Sequence, residues 1–396
     1  MDMDRLSNLP DELLVAILSF LPTPIAARTS VLCRRFRHLW EASPSVQIRA
    51  YVPDKFVAQA DGALLHRNPS YSLLSLRIEL HDFKRSLPDS YMPSLLAKAA
   101  SLGLCHLTIL GFFNFEPILS TIFSIKTLKS LAHPNIVLNP HHVFPSGLAL
   151  TCLTSLSLGL FRIESAKLNQ LLSELSLLEE LQLKIFSIRS LIISSQTITK
   201  LTLVTVGSKL DTLKLVLPSL ESIHLRTWHL SHSLFHIHGE VPLLKRAVID
   251  LDELHAQNVS AVTNLLNFIS HLEELRLHVK ESADEKNPSH ILLEPGKCPP
   301  NFPNLKHLYV GLCFHKHNFE AVIMMLHNCP ALESLKLVQE SPESTRRARG
   351  RNRKDWRSNL PPYRNVNFRN LHLGMNKREF MKLLGKKCTV ETRARN

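Results

Sequence analysis

Glycine is scarce in this chain, 12 residues in 396, and no two glycines stand closer together than Gly103 and Gly111. That spacing excludes the G-x-G-x-x-G turn and the phosphate loop, both of which need clustered glycines to bring backbone amides against a phosphate. Also missing are a C-x-x-C pair, H-E-x-x-H, G-x-S-x-G and an acidic calcium loop. No signature of catalysis is left, and a non-enzymatic role is expected. The seven cysteines, Cys33, Cys105, Cys152, Cys298, Cys313, Cys329 and Cys388, are odd in number and scattered, as in a protein of a reducing compartment. The start, Met1-Asp2-Met3-Asp4, lacks the basic and apolar regions of a secretory signal, so export is not expected. Charged side chains are absent from Ser130 to Phe161, but Pro134, Pro140, Pro145 and His141-His142 interrupt the stretch. It reads as a buried segment rather than a membrane span.

Charge is present but confined. Of the net +13, residues 341–396 carry 16 Lys/Arg against 4 Asp/Glu, which leaves 31 against 30 for residues 1–340. A neutral body with a basic tail gives no support to nucleic-acid binding by the main fold.

What fills the body is a repeat. L-x-x-L-x-L, with other apolar residues tolerated, occurs at Leu73/Leu76/Ile78, Leu104/Leu107/Ile109, Leu153/Leu156/Leu158, Leu178/Leu181/Leu183 and Ile198/Leu201/Leu203. It continues at Leu220/Ile223/Leu225, Leu244/Ala247/Ile249, Leu272/Leu275/Leu277, Leu305/Leu308/Val310 and Leu332/Leu335/Leu337, with a weaker copy at Leu128/Leu131. Periods of this kind belong to leucine-rich-repeat solenoids, where each strand buries its leucines against the next repeat. Between strands, Met92/Leu95/Leu96/Ala99, Phe115/Ile118/Leu119/Ile122, Leu168/Leu171/Leu172/Leu175, Val262/Leu265/Leu266/Ile269 and Phe319/Val322/Ile323/Leu326 have helical spacing. The short repeats from Phe186 to Ile249 leave too little room for a good helix and are rich in β-branched residues, which predicts extended segments or turns there. The usual Asn or Cys of the repeat turn is met only by Cys313.

The repeat pattern stops at Ser341–Pro362, a basic loop or linker. Beyond it, over 363–396, Val366 and Phe368 alternate as in a strand, and Asn376 and Glu379 cap a helix through Phe380, Leu383 and Leu384.

The first 45 residues hold three helical segments. Pro10 and Glu12 open the first, whose apolar residues Leu13, Leu14, Ile17, Leu18, Phe20 and Leu21 run to Pro22; Thr23-Pro24 opens the second; Leu32, Phe36, Leu39 and Trp40 mark the third. So small a unit cannot cover that much apolar surface alone, and a partner protein is expected. Leu6-Ser7-Asn8-Leu9-Pro10-Asp11-Glu12-Leu13-Leu14, Ile17–Pro22 and Arg28–Trp40 together resemble an F-box, with Phe36 where that family generally has Trp. The whole chain resembles the plant F-box/leucine-rich-repeat proteins with an FBD-like end. The fold class expected is α/β: an all-helical F-box (1–47), a connecting helical segment (48–72) patterned by Phe56, Ala60 and Leu64, a solenoid (73–340), the basic loop (341–362) and a strand-helix cap (363–396).

The resemblance implies a substrate-recruiting subunit of an SCF-type cullin-RING ubiquitin ligase in the ubiquitin conjugation pathway. The F-box would bind the Skp adaptor, and through it cullin and RING subunits, while the repeats hold an unknown protein substrate. Adaptor contacts are expected from Leu9, Pro10, Leu13, Leu14, Ile17, Leu18, Leu32, Leu39 and Trp40. Strand alternation sends Glu180, Gln182, Lys184, Lys200, Ser222, His224, Arg226, Arg246, Asp250, Glu274, Arg276, His278, His307, Tyr309 and Lys336 to the face opposite the leucines, the expected substrate surface. Arg346, Arg347, Arg349, Arg351, Arg353 and Lys354 suggest nuclear import, hence a nuclear and cytoplasmic distribution, with a plain solvated loop as the alternative. The other readings are a scaffold without ligase role and a nucleic-acid-binding protein using the basic tail. His224, His229, His232, His236 and His238, and Cys313/His315/His317, are dense enough to raise a metal site, but strand and loop positions explain them without one. No cofactor, metal or membrane partner is expected.

Overall fold

The computed structural model describes residues 6–339, apart from 7, 66, 81–86, 112–115, 135–147, 162–163, 187, 207–209, 228–235, 255–257, 282–291, 293–297 and 313–315, together with residues 389–390. The basic run from Arg346 to Lys354 and the expected strand and helix at 366–384 lie outside the described residues. The chain divides into two compact units, residues 1–184 and 185–396.

The first unit opens with helix α1 (Asp11–Ser19), which Pro10 introduces and Asp11 and Glu12 complement at its positive end. Leu14 and Leu18, one turn apart, are its buried residues. Pro22 and Pro24 restart the chain as α2 (Thr23–Arg28). The expected third helix is absent: Thr29–Val31, Arg35–Arg37 and Leu39–Ala42 form three separate 3-10 turns. His38, at φ −122° and ψ −1°, leaves helical geometry between the last two. Only Phe36 of that segment's apolar residues is buried. Arg35 ties the turns back to α1, its guanidinium reaching the Asp11 carboxylate at 2.6 Å and donating to the Leu9 carbonyl.

Strand β1 (Ser45–Ala50) follows at once, so residues 48–72 begin inside the sheet rather than as a connecting segment. The alternation Val46, Ile48, Ala50 buries one face. The expected helical pattern is present behind it, in α3 (Pro53–Ala60) and the turn Asp61–Leu65, with Phe56, Ala60 and Leu64 fully buried. Then come β2 (Ser75–Leu80), α4 (Tyr91–Ser101), β3 (His106–Leu110), α5 (Glu116–Phe123), β4 (Ser130–His133), β5 (Ser155–Phe161), α6 (Ser165–Glu174) and β6 (Glu180–Phe186). These strands are neighbours in chain order, and the pairs from β1 to β5 are parallel. The helices supply the crossovers that parallel pairing requires. Val46, Leu76, Leu107, Leu131 and Leu156 stand opposite one another, so the repeat leucines form one continuous buried row.

In the second unit, β8 (Lys200–Val206), β10 (Ser222–Thr227), β12 (Arg246–Leu254), β13 (Glu274–Glu281), β14 (His307–Leu312) and β15 (Ser334–Gln339) pair in that order, all parallel, and Thr389–Val390 (β16) adds to β15. Helices α7 (Val259–Phe268) and α8 (Lys316–His327) make the longer crossovers. Where the repeats are short, the return segments are extended, as expected: β7 (Ser190–Ser194), β9 (Thr212–Val216) and β11 (His236–Glu240) form their own parallel sheet. Gly239 of β11 has φ +146°, and a Cβ there would lie 1.7 Å from the Leu215 carbonyl oxygen of β9.

One backbone device recurs at many strand entries. Two successive amides donate to a single carbonyl of the preceding repeat: in the first unit Leu74 and Ser75 to Pro44, Cys105 and His106 to Leu74, and Lys129 and Ser130 to Cys105, and in the second Glu221 and Ser222 to Thr199, Lys245 and Arg246 to Glu221, and Glu333 and Ser334 to Lys306. The first acceptor is Pro44, so the ladder starts within the residues expected to belong to the helical segment alone.

Candidate functional site

Two surfaces follow from this architecture. The first lies on the N-terminal helical segment. Of the nine residues expected to meet an adaptor, Leu14 and Leu18 point inward, at 1% and 4% exposure, and hold the segment's own core. Leu13 and Ile17, one turn apart on the other side of α1, are open to solvent, as are Pro10 and Leu32, while Leu9, Leu39 and Trp40 are half-buried. Phe20 and Val31, at 83% and 84% exposure, are the most exposed large apolar side chains of the chain's described residues, and Ile25 is also open. These three were not among the residues expected on that surface, although a segment apolar nearly all round carries that signal: one buried stripe leaves the other exposed.

The second surface is the open face of β10 and β12–β15. Register aligns His224, Val248, Arg276, Tyr309 and Lys336 in one row across five strands, and Ser222, Arg246, Glu274, His307 and Ser334 in the row before it. A groove of about 600 Å³ runs here, and of the expected substrate residues it is lined by His224, Asp250, Glu274, Arg276, His278, His307, Tyr309 and Lys336. Arg226 is next to it; Lys200 and Arg246 are exposed but do not line it. Glu180 and Lys184 belong to the first unit, where burial lowers the Lys184 ammonium.

The groove is cross-linked by charge. His224 Nε2 meets Asp250 Oδ2 at 2.9 Å, and Arg226 Nε and Lys280 Nζ hold the two oxygens of Asp252 at 3.3 and 3.0 Å. Burial alone would raise the Asp250 carboxyl, but the His224 hydrogen bond and the charges of His224, His278 and Arg226 outweigh it and hold it below the ordinary range. Tyr309 lies between the His278 ring, 4.7 Å between centroids, and the Lys336 ammonium, 5.6 Å from its own ring centre. Such an arrangement can bind and orient a polar chain; it aligns no nucleophile with a base.

The suspected metal ligands do not converge where they are described. His224 is on β10 and engaged with Asp250, whereas His236 and His238 are exposed on β11 of the other sheet. His229, His232, Cys313 and His315 lie outside the described residues. Among the described residues no helix is long and apolar enough to cross a membrane.

Comparison with known proteins places both surfaces in matched regions. Residues 6–46 match the F-box domain, and residues 68–375, more than half of the chain, match the family described as At1g61320/AtMIF1, LRR domain. Among similar proteins of Arabidopsis thaliana is an FBD-associated F-box protein, At5g56690, 32% identical over 197 residues, 46% of this chain and 47% of that one. A protein named as an F-box/LRR-repeat protein, At4g15060, is 27% identical over 365 residues, 85% of this chain and 79% of that one. The FBD-associated F-box protein At5g38590 is 30% identical over 257 residues, 63% of this chain and 62% of that one. The chain thus spans less than two thirds of the length of two of these three relatives.

Proposed function

We propose, from the premise that the chain belongs to the F-box proteins with a leucine-rich-repeat domain, that it is a substrate receptor of an SCF-type ubiquitin ligase. The observation that carries the reading is the exposed apolar side of the N-terminal segment: Leu13, Ile17, Phe20, Val31 and Leu32 lie open on residues 6–46, the part that matches the F-box. Surface of that kind is stable in water only when covered. The Skp adaptor is the cover proposed here, with Leu9, Leu39 and Trp40 at its margin. The repeats are proposed to form a solenoid whose open strand face holds the protein substrate. The receptor needs no catalysis of its own, because it works by holding a substrate lysine near a ubiquitin thioester supplied by another subunit. The basic run from Arg346 to Lys354 is proposed to send part of the protein to the nucleus.

The test begins with capture of the Skp adaptor by the full chain. Leu13 and Ile17 are exposed, so the double variant Leu13→Ala, Ile17→Ala should fold normally. Each lost side chain removes about 1.5–3 kcal/mol of burial from the complex, so capture should weaken by about a hundredfold or more. Undiminished capture by the double variant rules out this surface. Adaptor capture without ubiquitin transfer to a bound partner would leave a scaffold instead of a ligase subunit.

A further inference from the structure

On the open face of the second unit, the carboxylates among the described residues are already spoken for. Asp250 is held by His224 at 2.9 Å, Asp252 by Arg226 and Lys280, and Glu274 by Arg276 at 3.0 Å. Arg246 and Lys336 face the same side and make no ion pair among the described residues. Arg276 shares only part of its guanidinium with Glu274 and remains more than half exposed. The face therefore presents cations that the protein does not neutralise, with His278 and His307 beside them.

The shape of the site agrees with an elongated ligand. The row His224, Val248, Arg276, Tyr309, Lys336 crosses five strands. At about 4.8 Å per strand it is about 19 Å long, the reach of about six extended residues. Tyr309, set between His278 and Lys336, gives the row an aromatic platform between its cations. Val248 is the short side chain of the row, and Gly311 stands beside His278 in the next, so the floor is low between charged walls.

We propose that this groove binds an acidic peptide segment, one that lays carboxylates along an extended chain against Arg276 and Lys336, with Arg246 exposed on the same face beyond the lining. The proposal rests on the reading of the open strand face as the substrate surface and specifies the chemistry of what is bound there. Association would be steered by charge and weakened by salt, since the cations are solvent-exposed.

The test uses the full chain and fluorescein-labelled hexaglutamate, read by anisotropy at low ionic strength, with hexaglutamine and hexalysine as comparisons. Hexaglutamate should bind at least tenfold more tightly than hexaglutamine. Arg276→Gln with Lys336→Gln should lose at least tenfold, and Arg276→Glu with Lys336→Glu should turn the preference toward hexalysine. Lys214→Glu, on the separate sheet of β9, should change nothing. Equal binding of hexaglutamine overturns the proposal, and so does displacement by micromolar inorganic phosphate, which would mark a phosphate site. Hexaglutamate binding that survives both groove variants within twofold would place it elsewhere, such as the run from Arg346 to Lys354, and also overturns it. Adaptor capture by the same proteins keeps the two readings apart. Its loss would sink the ligase role while leaving the peptide preference intact; loss of the preference alone would sink this proposal.

Discussion

His133 occupies a place made for a leucine. It ends β4 two residues after Leu131, stands opposite Leu158 of β5, and is 1% exposed against Leu119, Phe123 and Leu171. Burial drives its imidazole down to about 4 from an ordinary 6.5, with a backbone hydrogen bond opposing. The unfolded chain therefore takes up a proton below about 6.5 that the folded chain refuses until about 4. Stability is full above that window, falls as the pH drops through it, and loses about 3 kcal/mol in all. Replacing His133 by Leu should raise the unfolding midpoint, by more at pH 5 than at pH 7.5; equal gains at both would show that the ring does not titrate on unfolding. Gly239 gives a second test at this scale. Alanine there would drive a Cβ into the Leu215 backbone at a φ that side chains avoid, and should cost about 1–3 kcal/mol in urea unfolding. Gly62→Ala, with nothing within 4 Å, should cost nothing or stabilise slightly. The leucine spacing made the core legible residue by residue because burial repeats at fixed steps. It also explains the weak repeat at Leu128/Leu131: its third position is His133, and a motif written in apolar letters passes over it.

At the scale of elements, the join between the helical segment and the first strand depends on Arg67. Its side chain is 4% exposed, and its guanidinium donates to the carbonyls of Ser43, Tyr71 (3.2 Å) and Ser72 (3.0 Å). Burial lowers this arginine, with the Glu41 carboxylate pulling the other way. A second tie runs from the Gln47 amide to Thr23 Oγ1 at 2.8 Å. Arg67→Met would remove the donor from three carbonyls, that of buried Ser43 and those of Tyr71 and Ser72, each bond worth about 1 kcal/mol, so the variant should lose about 2–3 kcal/mol and expose Leu74 and Ser75 to faster amide exchange. Lysine should not rescue it, since a single ammonium cannot fork to three acceptors. An exchange pattern unchanged at those amides would contradict this role. None of this was legible beforehand, because an arginine 24 residues from its acceptor leaves no local pattern. Two other elements were misread for a related reason. The spacing of Leu32, Phe36, Leu39 and Trp40 suits a helix, but successive tight turns can carry the same residues. In β1 the alternation of Val46, Ile48 and Ala50 was present, but without leucine it fell outside the repeat motif.

For the whole molecule, charge is partitioned along the chain: 16 of 47 Lys/Arg lie in residues 341–396, with near neutrality before them, and the import role proposed above rests on that basic part. A reporter fused to residues 341–362 should concentrate in the nucleus; even distribution would dismiss the import proposal. The order of the repeats was readable from period alone, but the groove was not. Alternation says which side a residue faces, whereas the choice of His224, Arg276, Tyr309 and Lys336 as one row depends on register between strands far apart in sequence. The start of the amide ladder at Pro44 bears on where such a chain can be cut. Pro44 lends its carbonyl to Leu74 and Ser75, and Ser43 lends its own to Arg67, so a fragment beginning at residue 45 would lack the acceptors of its own first repeat. Such a fragment should exchange the Leu74 and Ser75 amides faster than the full chain does. A repeat fragment meant to fold by itself should keep residues 43 and 44, and with them the end of the segment that matches the F-box.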